Sequence, residues 1–297
     1  MKFATVLMAA SLIGGCVADE TDVQSSDQQD QQTEILTKHV HHVRTDAHTA
    51  GGRHTKGNGI SYHGGPVMLG TPNIHYIWYG NWSGNSATTI LASFIQNLGG
   101  STYEAINGTY YDGSNTHVSG ALNYAGSAND NYSRGTALAD SDILAIVTAQ
   151  NPTDSNAIYF VLTSSDVNET SGFCTQYCGW HDHASINGRD IKYAFVGNPD
   201  RCPSACEDQT TSPNGNAGAD GMASIIAHES EEAISDPDLN AWYDTRGAEN
   251  ADKCAWTFGT TSTASNGSLY NVTLGSNKYL SQQNWVNASG GYCAMSY

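Results

Sequence analysis

The 297-residue chain carries 12 Lys plus Arg against 29 Asp plus Glu, a formal charge of −17, and only 14% of its residues are charged. A surface this acidic excludes nucleic-acid binding and electrostatic docking on anionic lipid. Setting Cys16 aside, the six remaining cysteines (Cys174, Cys178, Cys202, Cys206, Cys254 and Cys293) form an even set, which in an exported chain reads as a disulfide framework.

Residues 1–18 read as a targeting segment, with Lys2 followed by an apolar run too short to span a bilayer. Two processing routes stay open: signal-peptide cleavage after Cys16-Val17-Ala18, or lipidation of Cys16 as a surface anchor. Either route makes the mature protein secreted or attached to the outer surface. Residues 19–59 lack apolar periodicity and read as a disordered linker or a propeptide. They contain His39, His41, His42, His48 and His54, a tract able to bind metal or to cap a site.

One domain is expected over residues 60–297. Residues 73–82 are β-branched and aromatic, the signature of a strand. Residues 86–98 have helical spacing at Ile90, Phe94 and Leu98, with Ser86 as N-cap and Gly99-Gly100 as the stop. Residues 117–124 are a further strand candidate, residues 141–150 a short helix, and residues 157–163 and 192–196 buried strands. Residues 220–234 form a helix with Asp220 as N-cap, and residues 270–280 a hairpin. Alternating strands and helices before a disulfide-tied tail give an α/β (α+β) domain. The bridges expected are Cys174–Cys178, Cys202–Cys206 and Cys254–Cys293, with a zinc knuckle of the C-x-x-x-C pairs as the alternative.

The chemistry concentrates at His228-Glu229-Ser230-Glu231-Glu232, an H-E-x-x-E stretch. On a helix His228 and Glu232 share one face and can grip one cation, and Glu229 stands where a metallohydrolase keeps its general base. A third ligand is needed. Glu249 is favoured, with Asp252 orienting His228 from behind; Asp236 is the alternative, within reach only if the helix breaks before Pro237. His181 and His183 are read as loop histidines, with entry to the site as the less favoured option. Tyr243 and His183 are candidate partners for an oxyanion.

This layout predicts a zincin-like domain: mixed sheet, active-site helix and disulfide-tied C-terminal segment. The cofactor is a divalent metal, zinc first, with calcium or manganese allowed by the oxygen-rich donor set. Two carboxylates make such an ion a weaker Lewis acid than one held by two His and one Glu.

Several ordered blocks carry a resemblance. They include Tyr62-His63-Gly64-Gly65-Pro66, Ile77-Trp78-Tyr79-Gly80-Asn81-Trp82, Val161-Leu162-Thr163-Ser164-Ser165-Asp166-Val167, Gly172-Phe173-Cys174, Tyr193-Ala194-Phe195-Val196-Gly197-Asn198-Pro199 and Asp220-Gly221-Met222. Together they resemble the EXORDIUM, or phosphate-induced protein 1, family. That resemblance implies a secreted, cell-wall or extracellular protein. Plant members of that family have small and apolar residues where this chain has Ala227-His228-Glu229 and Glu232, so the resemblance implies no role for the H-E-x-x-E site.

Two functions follow as expectations. The first is a secreted or surface-anchored metal-dependent hydrolase, peptidase-like, acting on an extracellular protein, a peptide or a cell-wall polymer. The second is a non-catalytic extracellular protein of the EXORDIUM type, binding a polymer or receptor, with a structural metal site or none. In the second, Trp78, Trp82, Trp180 and Trp285 are candidates for stacking on sugars, against core packing as the default.

Overall fold

A run of apolar, β-branched residues needs cover on both faces, and the chain provides it around one six-stranded sheet. The computed structural model describes residues 39–44 and 59–297. The sheet strands are β1 (His39–His42), β2 (Asn73–Tyr79), β3 (Asn123–Asp130), β4 (Ala157–Thr163), β5 (Tyr177–Ile186) and β6 (Arg189–Val196), in the order β1-β5-β6-β4-β2-β3. Strands β3, β2, β4 and β6 run parallel, whereas β5 pairs antiparallel with β6 and β1 antiparallel with β5. The sheet is therefore mixed.

Every residue of β4, AIYFVLT, is buried. Helix α1 (Ala87–Leu98) turns Ile90, Leu91, Phe94, Ile95 and Leu98 inward. It packs against α3 (Ala217–Ser235), which also lies against β5 and β6. Helix α2 (Asp140–Ala149) packs against β4 and β6. Hairpin Val272–Leu274/Asn277–Tyr279 forms within the expected segment. No helix among the described residues is long and apolar enough to cross a membrane.

Four features differ from the sequence expectation. The strand expected at 117–124 lies later, at Asn123–Asp130. Its residues are small and polar and half-exposed along an edge, so no apolar alternation announces it. Strand β5 falls on a stretch read as a histidine-bearing loop. Helix α3 starts earlier than expected: the Asn216 side chain accepts the Ala219 N–H at 3.0 Å, while Asp220 is taken up by Ser212 and Asn214. Within the stretch read as a linker, His39–His42 is a sheet strand. The targeting segment, with Cys16, lies outside the described residues.

The disulfides also differ. They are Cys174–Cys202, Cys178–Cys206 and Cys254–Cys293. Cys178 is the second residue of β5 and Cys206 ends the single turn Pro203–Cys206, so the two C-x-x-x-C segments lie side by side and bridge each other. The knuckle alternative falls with them. Three bridges fit a secreted protein. The tryptophans proposed for sugar stacking are all core residues, with Trp180 wholly buried and Trp285 at 7% exposure.

Candidate metal centre

The H-E-x-x-E stretch lies in the last three turns of α3, and the helix is buried from Gly218 to Ser235. Spacing of four brings His228 Nε2 to 3.0 Å from Glu232 Oε1. Two other elements complete the cluster. Strand β5 delivers His181, whose Nε2 lies 2.9 Å from Glu249 Oε2 and 3.8 Å from Glu232 Oε2. The segment after α3 delivers Glu249 and Asp252. Asp252 Oδ1 is 3.5 Å from His228 Nε2, and its backbone N–H donates to Glu232 Oε1 at 2.9 Å.

That segment is fixed by its own chemistry. The Asp244 carboxylate accepts from Lys253 Nζ at 2.9 Å and from the Arg246 and Ala248 N–H groups. Asn250 Nδ2 donates to the Glu231 carbonyl at 3.1 Å, tying the segment to α3, and Cys254 is bridged to Cys293. Close approach of α3 to β5 depends on Gly179. A Cβ there would lie 2.6 Å from Ile225 Cγ2, 2.9 Å from the Phe195 carbonyl and 3.0 Å from Glu229 Oε1.

Donor atoms around a tetrahedral ion with bonds of about 2.1 Å lie roughly 3.4 Å apart. The separations of 2.9, 3.0, 3.5 and 3.8 Å fall around that value. Of the three groups of donor atoms within 4.8 Å of one another among the described residues, two lie here: His181, Glu229 and Glu232, and His228, Glu232 and Asp252, with Glu249 in neither. Glu232 belongs to both, with Oε1 toward His228 and Oε2 toward His181. His181, His228, Glu229, Glu232 and Glu249 are all at most 1% exposed. Packing so many carboxyls against two imidazoles is costly unless protons or a cation neutralise them.

Glu229 bears the strain of this crowding. Neither of its oxygens has a hydrogen-bond partner among the described residues. Burial pushes its carboxyl well above the ordinary range; the His228 ring opposes this, while the charges of Glu232, Asp252 and Glu249 add to it. The neighbouring charge that bears most on Glu231 is that of Glu104, on the 3₁₀ turn Glu104–Thr109. Burial pushes Glu104 up to about 8, with the Asn107 side chain opposing. Glu231 is raised well above its usual range by burial and then by the charge of Glu104.

The other sequence candidates are placed as follows. Asp236 serves the helix stop: its Oδ1 accepts from the Asn240 and Ala241 N–H groups at 2.6 and 2.5 Å. Asp252 faces His228 Nε2, the nitrogen that Glu232 also faces, which makes it a potential ligand rather than a group orienting the ring from behind. His183 belongs to a separate cluster with Asp190, Lys192 and Asp238. Tyr243 stacks flat on His63 at 3.7 Å. His181, read first as a loop residue, is the histidine that joins the cluster. The signal that could have found it is the run Tyr177-Cys178-Gly179-Trp180, buried in the structure, which reads as the inner half of a strand.

The cluster is deeply buried, and Asp252, with its side chain at 15% exposure, is its most exposed member. A cleft of about 520 Å³ lined by Asn168, Glu169, Phe173 and Arg201 contains none of its residues. Over His228 lies His41 of β1, wholly buried, with ring centroids 4.2 Å apart in an edge-to-face contact.

Residues 60–285 match the model of the phosphate-induced protein 1 conserved region. The chain belongs to the EXORDIUM, or phosphate-induced protein 1, family. Among its relatives, protein EXORDIUM-like 3 of Arabidopsis thaliana is 31% identical over 279 residues, covering 79% of this chain and 82% of that protein. Protein EXORDIUM-like 5 of the same plant is 32% identical over 237 residues, covering 67% and 65%. Protein PHOSPHATE-INDUCED 1 of Nicotiana tabacum is 29% identical over 214 residues, covering 62% and 67%. None of these EXORDIUM-family names states a hydrolytic activity. No solved structure matches the chain, so the expected zincin-like likeness rests on the helix motif alone.

Proposed function

We propose that this is an extracellular EXORDIUM-family protein organised around a buried divalent-cation centre, and that the ion holds the fold together without turning over a substrate. His181, His228, Glu232 and Glu249 would be its ligands, with Asp252 as a fifth donor. One observation carries the non-catalytic reading: the four ligands are at most 1% exposed, with His41 seated over His228. A structural site is closed in this way, whereas a catalytic one keeps a position open to water and substrate. Two histidines and two carboxylates suit zinc, and the oxygen donors leave manganese or calcium as competitors.

Elemental analysis of purified protein, followed by melting with and without chelator, tests the proposal. About one ion per chain and a lower melting temperature in chelator are expected. A metal-free protein whose melting is indifferent to both chelator and added ion would sink it.

The hydrolase reading is favoured by Glu229, whose unpartnered carboxyl lies within 4.8 Å of donors on His181 and Glu232. There it would hold the proton of a metal-bound water. Cleavage of a peptide library by the metal-loaded protein, lost in Glu229→Gln, would establish it; no cleavage by either would leave the structural role standing.

A further inference from the structure

The His-rich tract contributes to the cluster only through His41, as a cover over His228. Its described part, residues 39–44, precedes the first residue of the family match, residue 60. Yet it closes the sheet. His39, Val40 and His41 pair with His181, Trp180 and Gly179 along the outer edge of β5. The Val43 N–H donates to the Gln176 carbonyl at 3.0 Å and the Arg44 N–H to the Ala205 carbonyl at 2.9 Å. Trp256 Nε1 donates to the His42 carbonyl at 2.9 Å. These bonds read the backbone and are indifferent to side-chain identity.

Among the described side chains, Val43 packs partly against the core and His42 Nδ1 lies 3.3 Å from the Gln176 carbonyl, but His41 alone is wholly buried. His41 enters a slot between His228 and Trp256, with ring centroids at 4.2 and 5.3 Å, opposite Gly179, which has no side chain to fill it. Gln282 orients the ring. Its Oε1 accepts the Trp256 N–H at 2.6 Å, which leaves its Nε2 to donate to His41 Nε2 at 3.0 Å. His42, the next residue, is exposed. Backbone pairing along a sheet edge with a pocket for one side chain is how extended peptides are recognised by strand addition. Strand β1 covers β5 only over residues 177–181, and residues 182–186 have β6 alone as partner strand among the described residues.

We propose that the outer edge of β5 is a binding site for an extended polypeptide anchored by a histidine ring, and that residues 39–44 occupy it in cis. A segment tethered to the same chain has an effective concentration on the order of millimolar, so it excludes a free peptide at micromolar concentration. Release of the strand uncovers the β5 edge and the face of His228 together. The proposal does not rest on the cation.

The test uses the full-length chain and a fluorescein-labelled peptide of residues 39–44, HVHHVR, read by anisotropy in chelator so that no metal bridges the two. Hydrogen exchange of the backbone amides of residues 177–181 is followed in parallel. His41→Asp introduces a carboxylate into a slot beside carboxylates and frees the strand. His41→Ala gives the same readout should the Asp variant not fold, and Ser276→Asp, at an exposed position outside the segment, is the control. The freed variant is expected to exchange these amides faster, and to bind HVHHVR at least tenfold more tightly than the wild type and the control do. A peptide with Ala at the His41 position should bind at least tenfold more weakly, and bound HVHHVR should restore amide protection. A folded, freed variant that does not bind HVHHVR overturns the proposal. So do amides that stay protected in both His41 variants, or equal binding by wild type and variant. Metal content measured on the same samples keeps failure of the cation reading separate from failure of this one.

Discussion

Replacing Glu232 by Gln separates a cation centre from an acidic cluster held together by protons. Glu232 touches both imidazoles and the Asp252 N–H, so no other single change removes as much of the ligand shell. If the centre binds an ion, stabilisation by mass action is about 2.7 kcal/mol at 100 times Kd and about 4.1 kcal/mol at 1,000 times. For a domain of this size each kcal/mol moves Tm by roughly 2–4 °C, so saturating ion should raise Tm by roughly 8–16 °C. In Glu232→Gln that rise should vanish. The sign without ion is the sharper test. The charge of Glu232 raises both Glu229 and Glu231, so the variant relieves repulsion in the metal-free protein. It should then melt above the metal-free wild type, by on the order of 1–3 kcal/mol for one relieved buried group. Differential scanning fluorimetry on both proteins, in chelator and across zinc, manganese and calcium series, reads all four states. Equal ion responses, or a variant less stable than wild type in chelator, would refute the reasoning.

Gly179→Ala should lower stability by about 1–3 kcal/mol, because its Cβ would overlap Ile225 and the Phe195 carbonyl; urea unfolding measures this, and an unchanged midpoint would show that α3 does not press on β5 as described. Glu104, ordinary when unfolded and raised to about 8 when folded, keeps its proton in the native state while the unfolded chain has lost it. Stability should therefore be greatest below about pH 4.5 as far as this group is concerned, and fall toward pH 8 by up to about 1.4 kcal/mol per pH unit. Urea midpoints at pH 5.5 and 8 should differ less in Glu104→Gln, and an equal difference would count against the buried acid pair. Peptide mapping under non-reducing conditions should recover Cys174 with Cys202 and Cys178 with Cys206. Removing the second bridge, which closes a separation of 28 residues, should cost about 3.6 kcal/mol by loop entropy, with a denaturant midpoint that does not move as the contrary result.

What the sequence determined by itself was local. The spacing of four in H-E-x-x-E is a statement about one helix, and it places His228 beside Glu232 whatever surrounds them. Apolar runs at 73–82 and 157–163 specify strands because their residues need burial on both faces. Pro237 ends the helix through its own backbone restriction. The family blocks were legible as ordered text.

The rest depended on which strands became neighbours, and strand order is written in no single segment. His181 joins Glu232 because β5 lies under α3, an approach that Gly179 permits. Glu249 and Asp252 arrive on a segment anchored locally by the Asp244–Lys253 pair and at long range by the bridge from Cys254 to Cys293, a separation of 39 residues. The paired C-x-x-x-C segments bridge each other because the sheet sets them side by side. His41 comes from a tract whose composition reads as linker. It becomes core only when the edge of β5 offers its unpaired N–H and C=O groups, and a free sheet edge is a property of the assembled sheet.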